Sequence, residues 1–357
     1  MDASSSTSSS ERAAGPPVAA LAALALIAML ELWIGSRPDL FADGLYRTTA
    51  AKRDIVADRS RRDDVLVFGN SRVFSIRPEV VDAALGGDVH SVNLSWPFMG
   101  ADAYDMVLSV YLREHSKPRM ILVDAFPELV ALRPEHLSLA DLPIHRTRLY
   151  TDLPAGPLAS ELVARRDWSL LFGLATQLCM PPSLRWRDRV RDGLQSLAHG
   201  EPIPGPRPID VAQVEGMARH GAYLMYLDTE ATRAVFLMAQ RQNDFAVRDN
   251  PAAIAAYERF LERADAADIR VRVLGVPLPA TTYDLYEELG ILTAYRALLE
   301  RLRAAHPSFD VIEPVLTRWP DERFGDAGHL NRPGDAVFQD FCREMLERSG
   351  LGRELSR

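Results

Sequence analysis

Ser71, His329 and Asp326 are the residues whose types and spacing could do chemistry together. Ser71 ends the stretch Val65-Leu66-Val67-Phe68-Gly69-Asn70-Ser71, and the other two lie near the C-terminus in Asp326-Ala327-Gly328-His329-Leu330-Asn331. A free hydroxyl is a poor nucleophile at neutral pH, so a working serine needs a base to take its proton. The base needs a carboxylate to fix its tautomer and stabilise the imidazolium that forms. Asp326 is three residues before His329, close enough for one tight turn to bring carboxylate to imidazole. Taken singly, Ser71 reads as a turn or capping residue and His329 as a loop histidine. Together, in this chain order, they point to nucleophilic catalysis. Metal binding by Asp326, His329 and His90 lacks paired ligand spacing, so neither a metal nor another cofactor is expected.

These residues need a frame. Val65 to Phe68 is an unbroken apolar run, as in a strand buried on both faces, and Gly69 and Asn70 bend the chain so that Ser71 follows the strand's carboxyl end. Open α/β sheets place their working residues there. The spacing predicts a helix over 77–85 stopping at Gly86-Gly87, a strand over 89–94, a helix over 101–114 and a strand over 119–124. Strand, helix, strand, helix, strand is the doubly wound pattern with a parallel sheet. From about 130 to 250 the alternation lapses into a largely helical insertion, with helices expected at 135–142, 167–178 and 184–198 and a proline-rich loop at 202–208. The rhythm resumes with a helix over 251–267, a strand over 270–276 ending in Pro277-Leu278-Pro279, a helix over 293–305 and a strand over 309–312. Asn331 is a good N-cap and Pro333 suits a first turn. Ala336, Val337, Phe338, Phe341, Cys342, Met345 and Leu346 then form the buried stripe of a last helix stopping at Gly350.

A strand ending in Gly-Asn-Ser-Arg, a second strand with Asn93-Leu94 before a Gly-containing loop, and a C-terminal Asp-x-x-His-Leu-Asn resemble the SGNH/GDSL hydrolase superfamily. The resemblance covers about 64–124 and 270–348, not the helical middle. It implies a flavodoxin-like three-layer α/β/α sandwich, with Ser71 as nucleophile, His329 as general base and then acid, and Asp326 as orienting carboxylate. It also implies an oxyanion hole from the Ser71 N–H, a second-block glycine N–H, for which Gly100 is the candidate, and a third-block asparagine. The third has no match, because the chain reads Val123-Asp124-Ala125-Phe126-Pro127; Asn70, beside the serine, is the candidate replacement. Membrane-anchored SGNH-like proteins with degenerate third blocks are similar to those that accompany polysaccharide O-acetylation. The resemblance therefore implies a serine esterase or O-acyltransferase acting on ester-linked acyl groups of surface glycan, with a multi-span acyltransferase as partner. The alternative is a scaffold that keeps the fold and binds glycan or a partner protein. Trp96, Phe98 and Trp319 are candidates for a sugar-stacking cleft, with core packing as the safer assignment.

The 357 residues suffice for a large core, and a net charge of -8 with no basic block argues against nucleic-acid binding. Residues 1–17, rich in Ser and Ala, are expected to be disordered. The apolar run 18–35 is expected to be a single transmembrane helix with Trp33 near one end, despite Glu31; a neck over 36–62 leads to the α/β body over 63–350. Arg37, Arg47, Lys52 and Arg53 follow the run and only Arg12 precedes it, which by the positive-inside rule would keep the body cytoplasmic. The resemblance implies the opposite, an extracytoplasmic body. Cys179 and Cys342 could pair or sit in the core. His136, His145, His199, His220 and His306 are expected at the surface.

Overall fold

The computed structural model describes residues 18–36, 52–96, 99–125, 127–132, 153–185, 187–200, 246–247, 250–325 and 328–355. The expected helix at 135–142, the proline-rich loop 202–208, the N-terminal residues 1–17, Phe98 and Asp326 lie outside them. The chain divides into two compact units, one comprising Met1–Asp43 with Cys179–Arg207 and the other Gly44–Leu178 with Pro208–Arg357.

The first unit is built on helix α1, Val18–Ser36. Among the described residues no helix is long and apolar enough to cross a membrane. α1 has 19 residues, about 28 Å at the helical rise, against a hydrocarbon core of about 30 Å. It also carries Glu31, whose carboxylate accepts hydrogen bonds from the backbone N–H and the hydroxyl of Ser183. The full transmembrane span expected over 18–35 is therefore unsupported. Most of its large apolar side chains, from Leu21 to Trp33, are exposed, while Ile34 is buried.

The second unit is α/β. Its elements in chain order are β1 (Val65–Phe68), α2 (Pro78–Leu85), β2 (Ser91–Asn93), α3 (Ala101–Glu114) and β3 (Met120–Asp124). After β4 (Ala131–Leu132) come α4 (Ala155–Arg165) and α5 (Trp168–Leu178). The first unit then contributes α6 (Pro182–Arg185) and α7 (Arg187–Ala198). The second resumes with β5 (Ala246–Val247), α8 (Pro251–Ala266), β6 (Arg270–Leu274), β7 (Val276–Pro279), α9 (Ala280–Glu288), α10 (Ile291–Ala305), β8 (Phe309–Val311), β9 (Leu316–Trp319), α11 (Arg332–Ser349) and α12 (Leu351–Leu355).

The central sheet has the order β2-β1-β3-β6-β8, and every neighbouring pair in it is parallel. Parallel strands need crossovers, and right-handed crossovers that step one way from β1 to β2 and the other way from β2 to β3 put α2 and α3 on opposite faces. α3 packs on α8, and α2 packs on α11. β1 and β3 are buried along their whole length, which is why both read as continuous apolar runs. One core face is aromatic: Tyr104 of α3 sits 6.2 Å from Phe68 and 5.7 Å from Phe260 of α8, centroid to centroid.

Side-chain caps start two of these helices, and the caps of α11 are the expected ones. Asn250 accepts a hydrogen bond from the Ala253 N–H at the start of α8. The Asn331 side chain accepts from the Gly334 N–H at the start of α11, and Gly350 ends that helix in the left-handed conformation. Two short pairings were not expected. β4 and β5 pair antiparallel, joining the two ends of the helical insertion. β7 and β9 form a separate parallel pair, so Pro277 and Pro279 lie within a strand rather than after one. The expected strand over 270–276 is split at Gly275, where a Cβ would stand 2.1 Å from the Pro314 carbonyl oxygen. Both cysteines are free, Cys342 in the core and Cys179 exposed.

Candidate active site

The strand order reverses between β1 and β3, so the turns leaving these strands diverge and open a crevice at their carboxyl ends. Ser71 sits at the mouth of it. Gly69 must be glycine there: a Cβ would meet Val73 Cγ2 at 2.2 Å and Asp124 Cγ at 2.9 Å. Asn70 then caps a single 3-10 turn, Ser71–Val73, its side-chain carbonyl accepting the Arg72 N–H at 2.9 Å. Ser71 is thus the first residue of a turn whose start is fixed by Gly69 and Asn70.

His329 arrives from 258 residues away, with its Nε2 2.6 Å from the Ser71 Oγ. Its loop is closed by backbone bonds, Gly325 N–H to the His329 carbonyl at 2.8 Å and Asn331 N–H to the Arg323 carbonyl at 3.0 Å. Asn331 does double duty, capping α11 with its carbonyl and donating its amide to the Glu322 carbonyl at 2.7 Å. Gly334 lets the helix start close in, for a Cβ there would lie 2.0 Å from the Arg323 carbonyl oxygen. Ser71 and His329 are both half-buried, so the pair is held yet open to a reactant. Asp326, the expected orienting carboxylate, lies outside the described residues.

The second block supports the serine turn from behind. Asn93, fully buried at the end of β2, donates its amide to the carbonyls of Val73 at 2.8 Å, Ile76 at 3.0 Å and Phe74 at 3.3 Å. Its own carbonyl accepts the Ser95 N–H at 3.0 Å. The Trp96 N–H donates to the Gly69 carbonyl at 3.0 Å, tying this loop to the first. Lys52 lies beneath, fully buried, with its ammonium bonded to the Ser95 carbonyl and 4.6 Å from the centre of the Phe74 ring. Burial pushes its pKa well below the ordinary lysine value.

Of the expected oxyanion donors, Gly100 is the N-cap of α3 and no hydrogen bond among the described residues joins it to Ser71. The N–H groups of Ser71 and Gly100 have no acceptor among the described residues. Asn70 presents its carbonyl end inward as a cap and its N–H towards Asp124, at 3.5 Å. Asp124, where a third-block donor would be expected, is an acceptor: it takes the Tyr104 hydroxyl at 2.6 Å. Burial first and the neighbouring Asp124 charge second push the Tyr104 hydroxyl pKa well above its usual value, so it stays a donor.

Trp96 is wholly in the core, and Trp319 packs edge-on against Phe338 and Phe341, so neither offers a face to a sugar. His90 precedes β2 at the amino end of the sheet, opposite the end that holds His329, so the set Asp326, His329 and His90 cannot share a metal. No cluster that could hold a metal ion occurs among the described residues. His306 is buried rather than at the surface, its Nδ1 2.8 Å from Asp265. His115 is buried too, stacked on Tyr111. The chain matches no family model and no curated protein sequence.

Proposed function

We propose that this protein is a serine ester hydrolase or O-acyltransferase of SGNH/GDSL type, on a flavodoxin-like sandwich, acting on ester-linked acyl groups of cell-surface polysaccharide. The observation that carries the catalytic part is the 2.6 Å approach of His329 Nε2 to Ser71 Oγ at the switch point of a parallel sheet. In this proposal His329 takes the Ser71 proton as Oγ attacks the acyl carbon. The tetrahedral oxyanion is held by the N–H groups of Ser71 and Gly100, and His329 returns the proton to the leaving alcohol oxygen. Water or a sugar hydroxyl, deprotonated by the same histidine, then cleaves the acyl-serine.

The glycan substrate, a multi-span acyltransferase partner and an extracytoplasmic body follow from the sequence resemblance. Membrane association is supported by the exposed leucines, isoleucine and tryptophan of α1. A phosphatase reporter fused to the C-terminus tests the location, and an inactive reporter rules out a surface glycan substrate. The catalytic part is tested by a fluorophosphonate probe and an activated acetyl ester. Labelling is expected at Ser71 and is expected to vanish in Ser71→Ala and fall at least a hundredfold in His329→Ala, on the order of what a general base contributes. A wild type that neither labels nor turns over refutes it. The second reading, a scaffold that binds glycan or a protein, draws support from Asp124, an acceptor where the resemblance calls for an amide donor.

A further inference from the structure

Arg72, the residue after the serine, is nearly as buried as the strand beneath it, its side chain 9% exposed beside an Asp124 side chain at 0%. Its guanidinium donates to the Ala125 carbonyl at 3.0 Å and to the Asn70 side-chain carbonyl at 3.4 Å, and stands 3.7 Å from the Asp124 carboxylate. Its Cδ is 3.8 Å from the position a Cβ on Gly328 would take, next to His329. One side chain therefore bonds the turn after β1 and the end of β3 and lies alongside the histidine loop, the three pieces that must stay in register for Ser71 to meet its base. The geometry is planar and forked, which guanidinium satisfies and an ammonium does not.

We infer that Arg72, seated on Asp124, is a positioning residue of this centre: it clasps the Ser71 turn to the end of β3 and to the His329 loop. The inference rests on the catalytic reading above. Asp124 is the anchor of the clasp, fixed from the other side by the Tyr104 hydroxyl and by the Asn70 N–H. Without the guanidinium, the first turn keeps its Gly69 and Asn70 constraints and the Asn93 bonds behind it but loses its charged tie to the end of β3, and a displacement of about 1 Å between nucleophile and base lowers the rate about a hundredfold.

The test uses the full chain, an activated acetyl ester and the fluorophosphonate probe. Arg72→Ala is expected to lower kcat about a hundredfold with KM within about twofold, and added guanidinium ion, but not potassium ion at equal ionic strength, is expected to restore at least a tenth of the lost rate. Should that variant fold poorly, Arg72→Lys gives the same contrast: it keeps the charge, cannot span Ala125 and Asn70 together, and is expected to lose at least tenfold in kcat. Asp124→Asn combined with either is expected to cost no more than the single arginine change, because the two act as one unit. An active wild type with variants within twofold in kcat overturns the clasp alone, and so does a loss confined to KM. A wild type that neither labels nor turns over overturns the catalytic reading and the clasp with it.

Discussion

Asn93→Asp replaces one heavy atom of a buried side chain, nitrogen by oxygen, and reverses its hydrogen bonding. The amide donates to three carbonyls, two of them at 3.0 Å or less, and no water reaches it. An introduced carboxylate would face those carbonyls with an oxygen. Each buried partner left unsatisfied costs about 1–3 kcal/mol, so two good bonds lost amount to about 2–6 kcal/mol before repulsion is counted. Asn93→Ala loses the same donors without adding a charge, for the same cost of about 2–6 kcal/mol. The aspartate variant is therefore expected to be the less stable of the two at pH 7. The sign with pH follows from burial, which raises the introduced carboxyl's folded pKa above the unfolded value of about 3.9. Stability is then retained below that value and lost as pH rises, so the gap between the variants narrows as the pH is lowered towards 4. Urea unfolding at pH 7 and pH 4.5 measures it, and fluorophosphonate labelling reports the serine turn separately. An aspartate variant as stable as the alanine variant at pH 7, or a gap that does not depend on pH, refutes the brace.

Gly69→Ala forces a Cβ onto Val73 and Asp124, neither a flexible chain end, and is expected to cost about 1–3 kcal/mol and to slow labelling of Ser71; thermal melts and labelling rates check both. Glu161 is opposed by burial, but bonds from Ser109, Arg113 and Arg165 outweigh it and hold the carboxyl at about 2. Its depressed value contributes stability above pH 4.5 that is lost as pH falls towards 2, at most about 3 kcal/mol, and Glu161→Gln should flatten that part of the acid denaturation curve. Lys52 has the same sign in a more alkaline window: its lowered pKa means stability rises as pH climbs towards 10.5, by no more than about 1.4 kcal/mol per unit, and Lys52→Met should remove the rise in urea titrations.

The frame was legible where one element's own residues decide it. β1, α3 and β3 fall at or near their expected bounds because a strand buried on both faces is an apolar run and an amphipathic helix repeats its own period. Asn331 and Gly350 mark helix ends by local chemistry, and they were found. β7 was missed because proline argues against a strand, yet it lies in a two-stranded pairing with β9, where each strand is an edge among the described residues. α4 carries its buried face on Leu158, Glu161 and Leu162, and a glutamate in that stripe hides the period. Two of its partners, Arg113 and Arg263, stand on other helices.

The site divides in the same way. Ser71 and His329 are visible because each sits in a local motif, at a strand end and before a capped helix. Arg72, Asp124, Tyr104, Asn93 and Lys52 are not, because what makes them matter is a contact from another element. A Lys in the neck gives no sign that it will be buried against Phe74 and Ser95. The one available signal was Asp124 itself, a carboxylate closing the buried run of β3, where an unpaired charge is costly and a partner is therefore required.

Asp124 also bears on which acyl acceptor the proposed enzyme favours. Holding the Tyr104 hydroxyl and facing the Asn70 N–H, its carboxylate cannot donate to an oxyanion, which leaves two backbone N–H groups. Lacking one donor slows each acyl step about a hundred- to a thousandfold, and it slows attack by water and by a sugar hydroxyl alike. The difference between the two lies in placement. Water is present at about 55 M, whereas a well-oriented bound hydroxyl reaches an effective molarity on the order of 10⁵ M or more, a thousandfold advantage or better. A slow acyl-serine therefore passes its acyl group to a seated acceptor before water takes it. With an acetyl donor and a polysaccharide acceptor present together, the proposal predicts acetylated glycan in excess of free acetate. A product ratio that follows the bulk concentrations of water and sugar hydroxyl refutes transfer and leaves hydrolysis.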